Sequence, residues 1–210
     1  MPPAASADDA PRSARADEVV AAARLVIERD GADGLTMRSV ADMLNIKAPS
    51  LYKHVAGKGA IEVELIAVAL REMGESLHAA LGAADRPGDP HEDGDGAEAS
   101  GRACTGRRIA ALLAAYRHHA LRHPNLYRLA TTGRLPRHEL PPGLEEWAGE
   151  PFDTVTGDAH RGQALWSFAH GMVVLELDDR YPDRSELDMT WAQGAAAFAG
   201  LVAGTRPRLR

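Results

Sequence analysis

The sequence predicts an all-α protein, and three observations carry that prediction. Apolar residues recur at helical spacing through every long segment, no stretch alternates apolar and polar residues over a useful strand length, and clusters of Gly and Pro separate the periodic runs. The 210 residues are 45% apolar and 26% charged, which is ordinary for a globular protein. That length allows one large domain, or a small one joined to a medium one.

The elements follow in order. Val19, Val20, Ala23, Val26 and Ile27 line one face of a first helix, and "RDGADG" (29–34) ends it with two glycines. Thr36 suits the N-cap of a short second helix reaching about Leu44. Pro49 suits the first turn of a third, where its missing N–H would be unpaired anyway. A fourth, longer helix starts at Lys58 and sets Ile61, Leu65, Val68, Met73 and Leu77 along one side. Residues 82–103 are rich in Gly, Asp and Pro and hold no large apolar residue, which predicts a mobile acidic loop. Helices resume over 105–122 and 124–132, and a Pro/Gly-rich bend at 132–143 precedes a shorter helix containing Trp147. Two strong helices follow, over 160–181 and 186–204.

This order predicts a disordered tail over 1–14, a small domain over 15–60 and a larger helical domain over 61–210. The tail lacks the apolar run of a signal peptide, and no apolar stretch approaches the roughly 20 residues of a membrane span. With one cysteine, Cys104, no internal disulfide can form, and a cytoplasmic setting fits best. The formal net charge of −6 is unevenly spread: residues 11–60 carry a net +2 and residues 61–210 a net −6. All three lysines, Lys47, Lys53 and Lys58, fall within fourteen residues. An acidic body with a locally basic tip excludes a chain that coats nucleic acid everywhere, and permits a small contact surface.

That tip is the stretch "GLTMRSVADMLNIKAPSLYKHV" (34–55). Val40, Ala41, Leu44, Ile46, Leu51 and Val55 can pack two short helices across a tight turn. Asn45 falls at the turn, where a left-handed backbone is expected and Asn tolerates it better than most residues. Small Ala41 lets the second helix of the pair approach the first. This is the pattern of a helix-turn-helix, whose second helix enters the major groove of DNA. Its outer surface would present Lys47, Ala48, Pro49, Ser50, Lys53 and His54, flanked by Tyr52. Lysines and hydroxyls suit phosphate oxygens, and Ala and Pro suit a thymine methyl.

Residues 16–66, and above all "LYKHV" followed by Lys58, resemble the DNA-binding domain of the TetR family of transcriptional regulators. The resemblance implies phosphate clamping by Thr36, Tyr52 and Lys58, with Arg38, Ala48, Pro49, Ser50, Lys53 and His54 close to the bases. Lys47 departs from the family, standing where a capping Ser or Thr is common, and Gly59 replaces the usual acidic residue after Lys58. The rest of the chain resembles TetR-type ligand-binding domains, through "HPNLYRLA" (123–130) and a Trp-x-x-x-His-Gly pattern at Trp166, His170 and Gly171. The fold class implied is an all-α, N-terminal three-helix reading domain followed by a helical ligand-binding and dimerisation domain.

The implied function is a regulator, in the first place a repressor, that binds a pseudo-palindromic operator in double-stranded DNA as a homodimer and is released by a small-molecule inducer. Tyr116, Tyr127, Trp147, Trp166 and His170 are the candidates to line the inducer cavity. The helix from Ala164 to Leu177 is apolar nearly all round and should be buried on several sides. The last helix sets Trp191, Ala195, Phe198 and Val202 along a seam for a dimer partner, beside a small surface of Gly194, Ala197 and Gly200. The helix begun at Lys58 is the one continuous element expected between reading head and body. His118, His119 and His123 bring no Cys pair or carboxylate–histidine motif with them, so no metal is expected, and no cofactor motif is present. A regulator of this fold controlled by a protein partner stays open as an alternative. So does an all-α enzyme, although nucleophile elbow and phosphate loop are both missing.

Overall fold

A computed structural model describes residues 13–86, 97–182 and 186–204. Among these, nine α-helices form and no strand: α1 (Ala14–Gly34), α2 (Met37–Met43), α3 (Ala48–Leu51), α4 (Lys58–Ala84), α5 (Ala97–Arg122), α6 (Pro124–Thr131), α7 (Leu144–Thr156), α8 (Ala159–Leu177) and α9 (Leu187–Ala203). The fold class is the one the sequence predicts. Residues 1–12 of the expected tail and residues 87–96 of the expected loop lie outside the described residues. On both flanks of that loop the structure is helical, since α4 runs on to Ala84 and α5 starts at Ala97. Once a helix is nucleated each added residue gains a hydrogen bond, and the alanines of these flanks cost it least.

The chain folds as two compact units, each built from separated stretches. The first comprises the chain up to Met73 together with Arg122–Ala148, and the second comprises Gly74–Leu121 together with the residues from Gly149 onward. The boundaries of the two units fall within α4, at the last residue of α5 and within α7.

In the first unit α1 packs along α2 and α6. Its buried face holds all five expected residues, Val19, Val20, Ala23, Val26 and Ile27, and joins Leu35, Val40, Ala41, Leu51, Ile61, Leu65, Ala69 and Leu126 in one core. The helix is broken at Gly31, whose φ of 73° is a left-handed value that glycine adopts without steric penalty. Helix α4 is apolar on two opposed faces. Ile61, Leu65 and Ala69 point into the core just described. Ile66 and Ala67 instead meet Leu140 and Leu144, with Val63, Leu70, Leu135 and Trp147 around them. The bend at 132–143 is thus folded onto α4 through its leucines, and Arg137 pairs with Glu145 at 2.7 Å. Arg24 of α1 makes a two-pronged ion pair with Glu72 of α4.

In the second unit Leu77, Leu81, Ile109, Leu112, Leu113, Tyr116, Phe152, Val155, Leu165, Ala169 and Val173 are buried. Trp191 belongs with them, only 6% exposed. Its ring meets Phe168 edge to face at 5.9 Å, the Arg117 guanidinium lies 5.6 Å from the ring centroid, and its Nε1–H points at Glu176 Oε2 at 3.4 Å. Arg117 in turn donates to both oxygens of buried Glu176 (2.9 and 2.8 Å) and to Asp188. A Cβ at Gly194 would fall 2.1 Å from the Phe168 ring, so glycine is what lets that ring lie against α9.

These contacts redirect the seam expected for a partner. Trp191 and Ala195 are buried against their own chain, and Gly194 accommodates Phe168 of the same chain. Phe198 and Val202 are half-buried, and Phe198 packs on Phe168 at 5.6 Å. Helix α8 is also less enclosed than its composition suggests, because Ala164, Trp166 and Leu175 are exposed. Replacing Arg117 by Met keeps the apolar stem and leaves the Glu176 carboxylate buried without its cation. This should cost about 3 kcal/mol and lower the melting midpoint by roughly 10 °C, as measured by calorimetry. A midpoint within a degree or two of the parent would show that the pair adds nothing.

Candidate nucleic-acid interface

Helices α2 and α3 with the turn between them form the helix-turn-helix. The turn closes through Asn45, whose φ of 53° is the left-handed value the sequence called for. Asn45 N–H donates to Asp42 C=O at 3.1 Å and Ile46 N–H to Ala41 C=O at 3.0 Å. Leu51 at 0% exposure and Ala41 at 1% pin α3 to α2.

Thr36 caps α2. Its hydroxyl accepts from the Ser39 N–H at 3.0 Å, while Ser39 Oγ accepts from the Thr36 N–H at 2.9 Å. Ser39 Oγ also reaches back to Gly34 C=O at 2.8 Å. This reciprocal cap was legible in T-x-x-S as a short variant of the capping box, yet Ser39 is not among the residues singled out from the sequence. Lys47 is the N-cap of α3 and makes no side-chain cap there, with Pro49 in the first turn as expected. Helix α3 is four residues long, so Lys53 and His54 lie in the turn after it rather than on the helix. That turn keeps helical bonding, with His54 and Val55 N–H donating to Leu51 C=O at 2.8 and 3.0 Å.

Of the ten residues expected to meet DNA, Thr36, Arg38, Lys47, Pro49, Tyr52, Lys53, His54 and Lys58 are exposed, and Ala48 and Ser50 are half-buried. Tyr52 is 59% exposed, a large aromatic left outside the core. Arg38 lies 3.9 Å from Asp42 on the same face of α2, with both side chains in solvent. Lys58, at the first position of α4, turns its ammonium toward Ala32 C=O (3.4 Å) and Glu62 (3.5 Å). The Glu62 partner could have been read from its i, i+4 spacing. The Ala32 carbonyl could not, being 26 residues away in sequence.

The five residues expected around an inducer are divided between the units. Tyr127 is buried in the first unit, where Trp147 is half-buried beside Leu140 and Leu144. In the second, Tyr116 is core, edge to face with Phe152 at 5.7 Å. Trp166 and His170 do come together, stacked at 5.6 Å, and partial burial holds the His170 pKa below its usual value. Trp166 is 42% exposed. A groove lined by Ala110, Leu113, Ala114, Trp191, Ala192 and Ala195, with Arg117 and Asp188 also on its wall, includes none of the five.

A helix-turn-helix whose exposed residues include every lysine of the chain is the arrangement met in DNA-binding proteins. The comparisons make this more particular. Residues 109–198 match the family model of the tetracyclin repressor-like C-terminal domain. Similar solved structures include a protein of unknown function from Rhodococcus sp. RHA1, with a TM-score of 0.70 at 17% identity, over 93% of this chain and 99% of that one. A TetR/AcrR-family transcriptional regulator from Thermobifida fusca gives 0.56 at 16%, over 92% and 100%. A TetR variant from Acinetobacter baumannii in complex with minocycline gives 0.55 at 19%, over 87% and 92%. No curated protein matches. At these identities the likenesses establish the fold. A helix-turn-helix thus stands ahead of a stretch that matches the tetracyclin repressor-like C-terminal domain, and the chain has the fold of the TetR-family structures it resembles.

The cap at α2 is directly measurable. Thr36→Ala removes the acceptor for the Ser39 N–H and should cost about 1 kcal/mol of stability, read from the urea midpoint. An unchanged midpoint would mean that water replaces the hydroxyl without loss.

Proposed function

We propose that the protein is a cytoplasmic repressor that binds a pseudo-palindromic operator as a homodimer and leaves it when a small molecule binds. In this reading residues 15–60 are the reading head, and residues 61–210 carry ligand binding and dimerisation. The observation that supports it most is the one exposed edge formed by Thr36, Arg38, Lys47, Tyr52, Lys53, His54 and Lys58 in a chain of net charge −6. Its chemistry divides by role. The Thr36 and Tyr52 hydroxyls and the Lys58 ammonium suit phosphates, whereas Arg38, Lys47, Ala48, Pro49, Ser50, Lys53 and His54 fall where base edges and methyl groups would be met. A two-fold dimer presenting two such edges reads two half-sites of opposite orientation.

Dimerisation is supported by what α8 and α9 leave in solvent. Met189, Ala192, Ala196, Ala197 and Leu201 are exposed on α9, and Trp166 and Leu175 on α8. Large apolar side chains left in solvent on α9, Met189 and Leu201 above all, are what an interaction surface would cover. This seam lies on the side of α9 away from Trp191, about half a turn round the helix from Trp191, Ala195, Phe198 and Val202. Small-molecule control is supported by the tetracyclin repressor-like domain and by the minocycline-bound TetR variant of the same fold. Within the second unit, stacked Trp166 and His170 remain the ligand candidates that stand together.

Duplexes selected from random sequence should converge on an inverted repeat. On the selected duplex, Lys58→Ala should weaken binding to all sequences alike and flatten the salt dependence by about one unit of slope. Lys53→Ala should instead change which bases are preferred. A Lys58→Ala protein with an intact salt slope and altered preference would reverse these two roles. For assembly, Ala196→Glu places a carboxylate on the exposed face of α9 without touching the core. Sedimentation should show a folded monomer, and a mutant that stays dimeric would remove this face from the interface.

A further inference from the structure

We infer that Asn125 is a positioning residue for DNA reading: from α6 it caps the broken end of α1 and so fixes the turn that sets α2 and α3. The inference rests on the DNA-binding role proposed above and adds a residue to it that touches no DNA. Helix α1 loses its helical backbone at Gly31, so the carbonyls of its last turn run out of following N–H donors. Glu28 belongs to that turn. Its carbonyl accepts from Asn125 Nδ2 at 3.0 Å, across 97 residues of sequence. Asn125 is half-buried and stands against the break itself, since a Cβ at Gly31 would lie 4.0 Å from its Oδ1. A second contact joins the same two turns: Glu28 Oε1 lies 3.6 Å from Nδ1 of His123, the residue at the α6 N-cap position.

Beyond the break the chain is held atom by atom as far as the reading edge. Ala32 C=O accepts from Leu35 N–H at 3.3 Å and from Lys58 Nζ at 3.4 Å, and Gly34 C=O accepts from Ser39 Oγ at 2.8 Å. Leu35 is 1% exposed, and Thr36 is both the α2 cap and a proposed phosphate contact. The six residues from Gly31 to Thr36 thus pass from the Asn125 cap to the first DNA-facing hydroxyl with little slack. If the cap is lost, the end of α1 frays, and Thr36 and α2 lose their fixed start.

The test uses Asn125→Asp in the full-length protein, a change that keeps shape and volume but removes the donor and sets a negative charge against a helix C-terminus. Asn125→Ala serves as a second variant should the aspartate disturb folding, and Asn125→Gln keeps the amide donor. The probe is the duplex selected with the parent protein. Asn125→Asp should bind it about tenfold more weakly at a temperature where its circular dichroism equals that of the parent. Its salt slope should be unchanged, which separates positioning from a lost phosphate contact. Amide exchange in the free protein should speed up over 32–36, and Asn125→Gln should recover part of the affinity. Parent-like binding by folded Asn125→Asp and Asn125→Ala overturns the inference, as does equal loss in the aspartate and glutamine variants. If the parent selects no sequence at all, DNA reading itself fails and takes the positioning role with it.

Discussion

The first unit depends on one constraint, that the N-terminal half of α4 is apolar on two opposite faces and both must be covered. Residues 61, 65 and 69 lie along one side of a 3.6-residue helix, and residues 63, 66, 67 and 70 along the other. The helix-turn-helix covers the first side through Leu51 and the α1 face. Only a segment from far along the chain can cover the second, and Leu135, Leu140 and Leu144 supply it. That is why a stretch rich in Pro and Gly folds back on α4, and why the compact unit containing the reading edge includes residues 122–148. With α6 on α1 and the bend on α4, the head is braced by chain that lies some sixty residues or more beyond it.

How much of this was legible in sequence depends on the range of each interaction. The α1 face, the Thr36 cap, the left-handed Asn45 and the Pro49 start are set by residues within a few positions of one another, and all stand as read. The direction in which Trp191 points was not legible. Helix α9 is apolar on nearly every side, so periodicity marks no single inward face, and the choice is made by Arg117 and Phe168, 74 and 23 residues away. The same holds for the bend on α4 and for Asn125 on Glu28, each a pairing of distant residues that no local pattern announces. In the candidate interface the residue types were readable, but what they hold in the free protein was not. Lys58 is the clear case, with a backbone carbonyl and a carboxylate already close to its ammonium.

The ion pairs around the edge proposed to read DNA are weak, so little would have to be undone for it to meet a polyanion. The Arg38–Asp42 and Lys58–Glu62 contacts are exposed and long, and such pairs contribute at most about 1 kcal/mol. Contacts this weak would give way readily to phosphate. The stronger and better buried ion pairs, Arg24–Glu72 and Arg117–Glu176, lie away from the edge and tie helices together. Charge is thus used in two ways, loosely held where a ligand must compete for it and tightly held where the fold needs it.

The three tryptophans give the protein a built-in optical readout. Trp191 is buried beside Phe168 in the second unit, Trp147 is half-buried beside Leu140 and Leu144 within the first, and Trp166 is 42% exposed with His170 stacked on it. Their emission therefore separates by wavelength, from blue-shifted Trp191 to red-shifted Trp166. A protonated imidazole quenches an indole it touches, so Trp166 fluorescence reports the charge of His170. Burial lowers the pKa of that histidine, so the red-side signal is expected to stay bright further into acid than beside an ordinary histidine. Anything that covers Trp166, whether a second chain or a small molecule, is visible in the same band without a label.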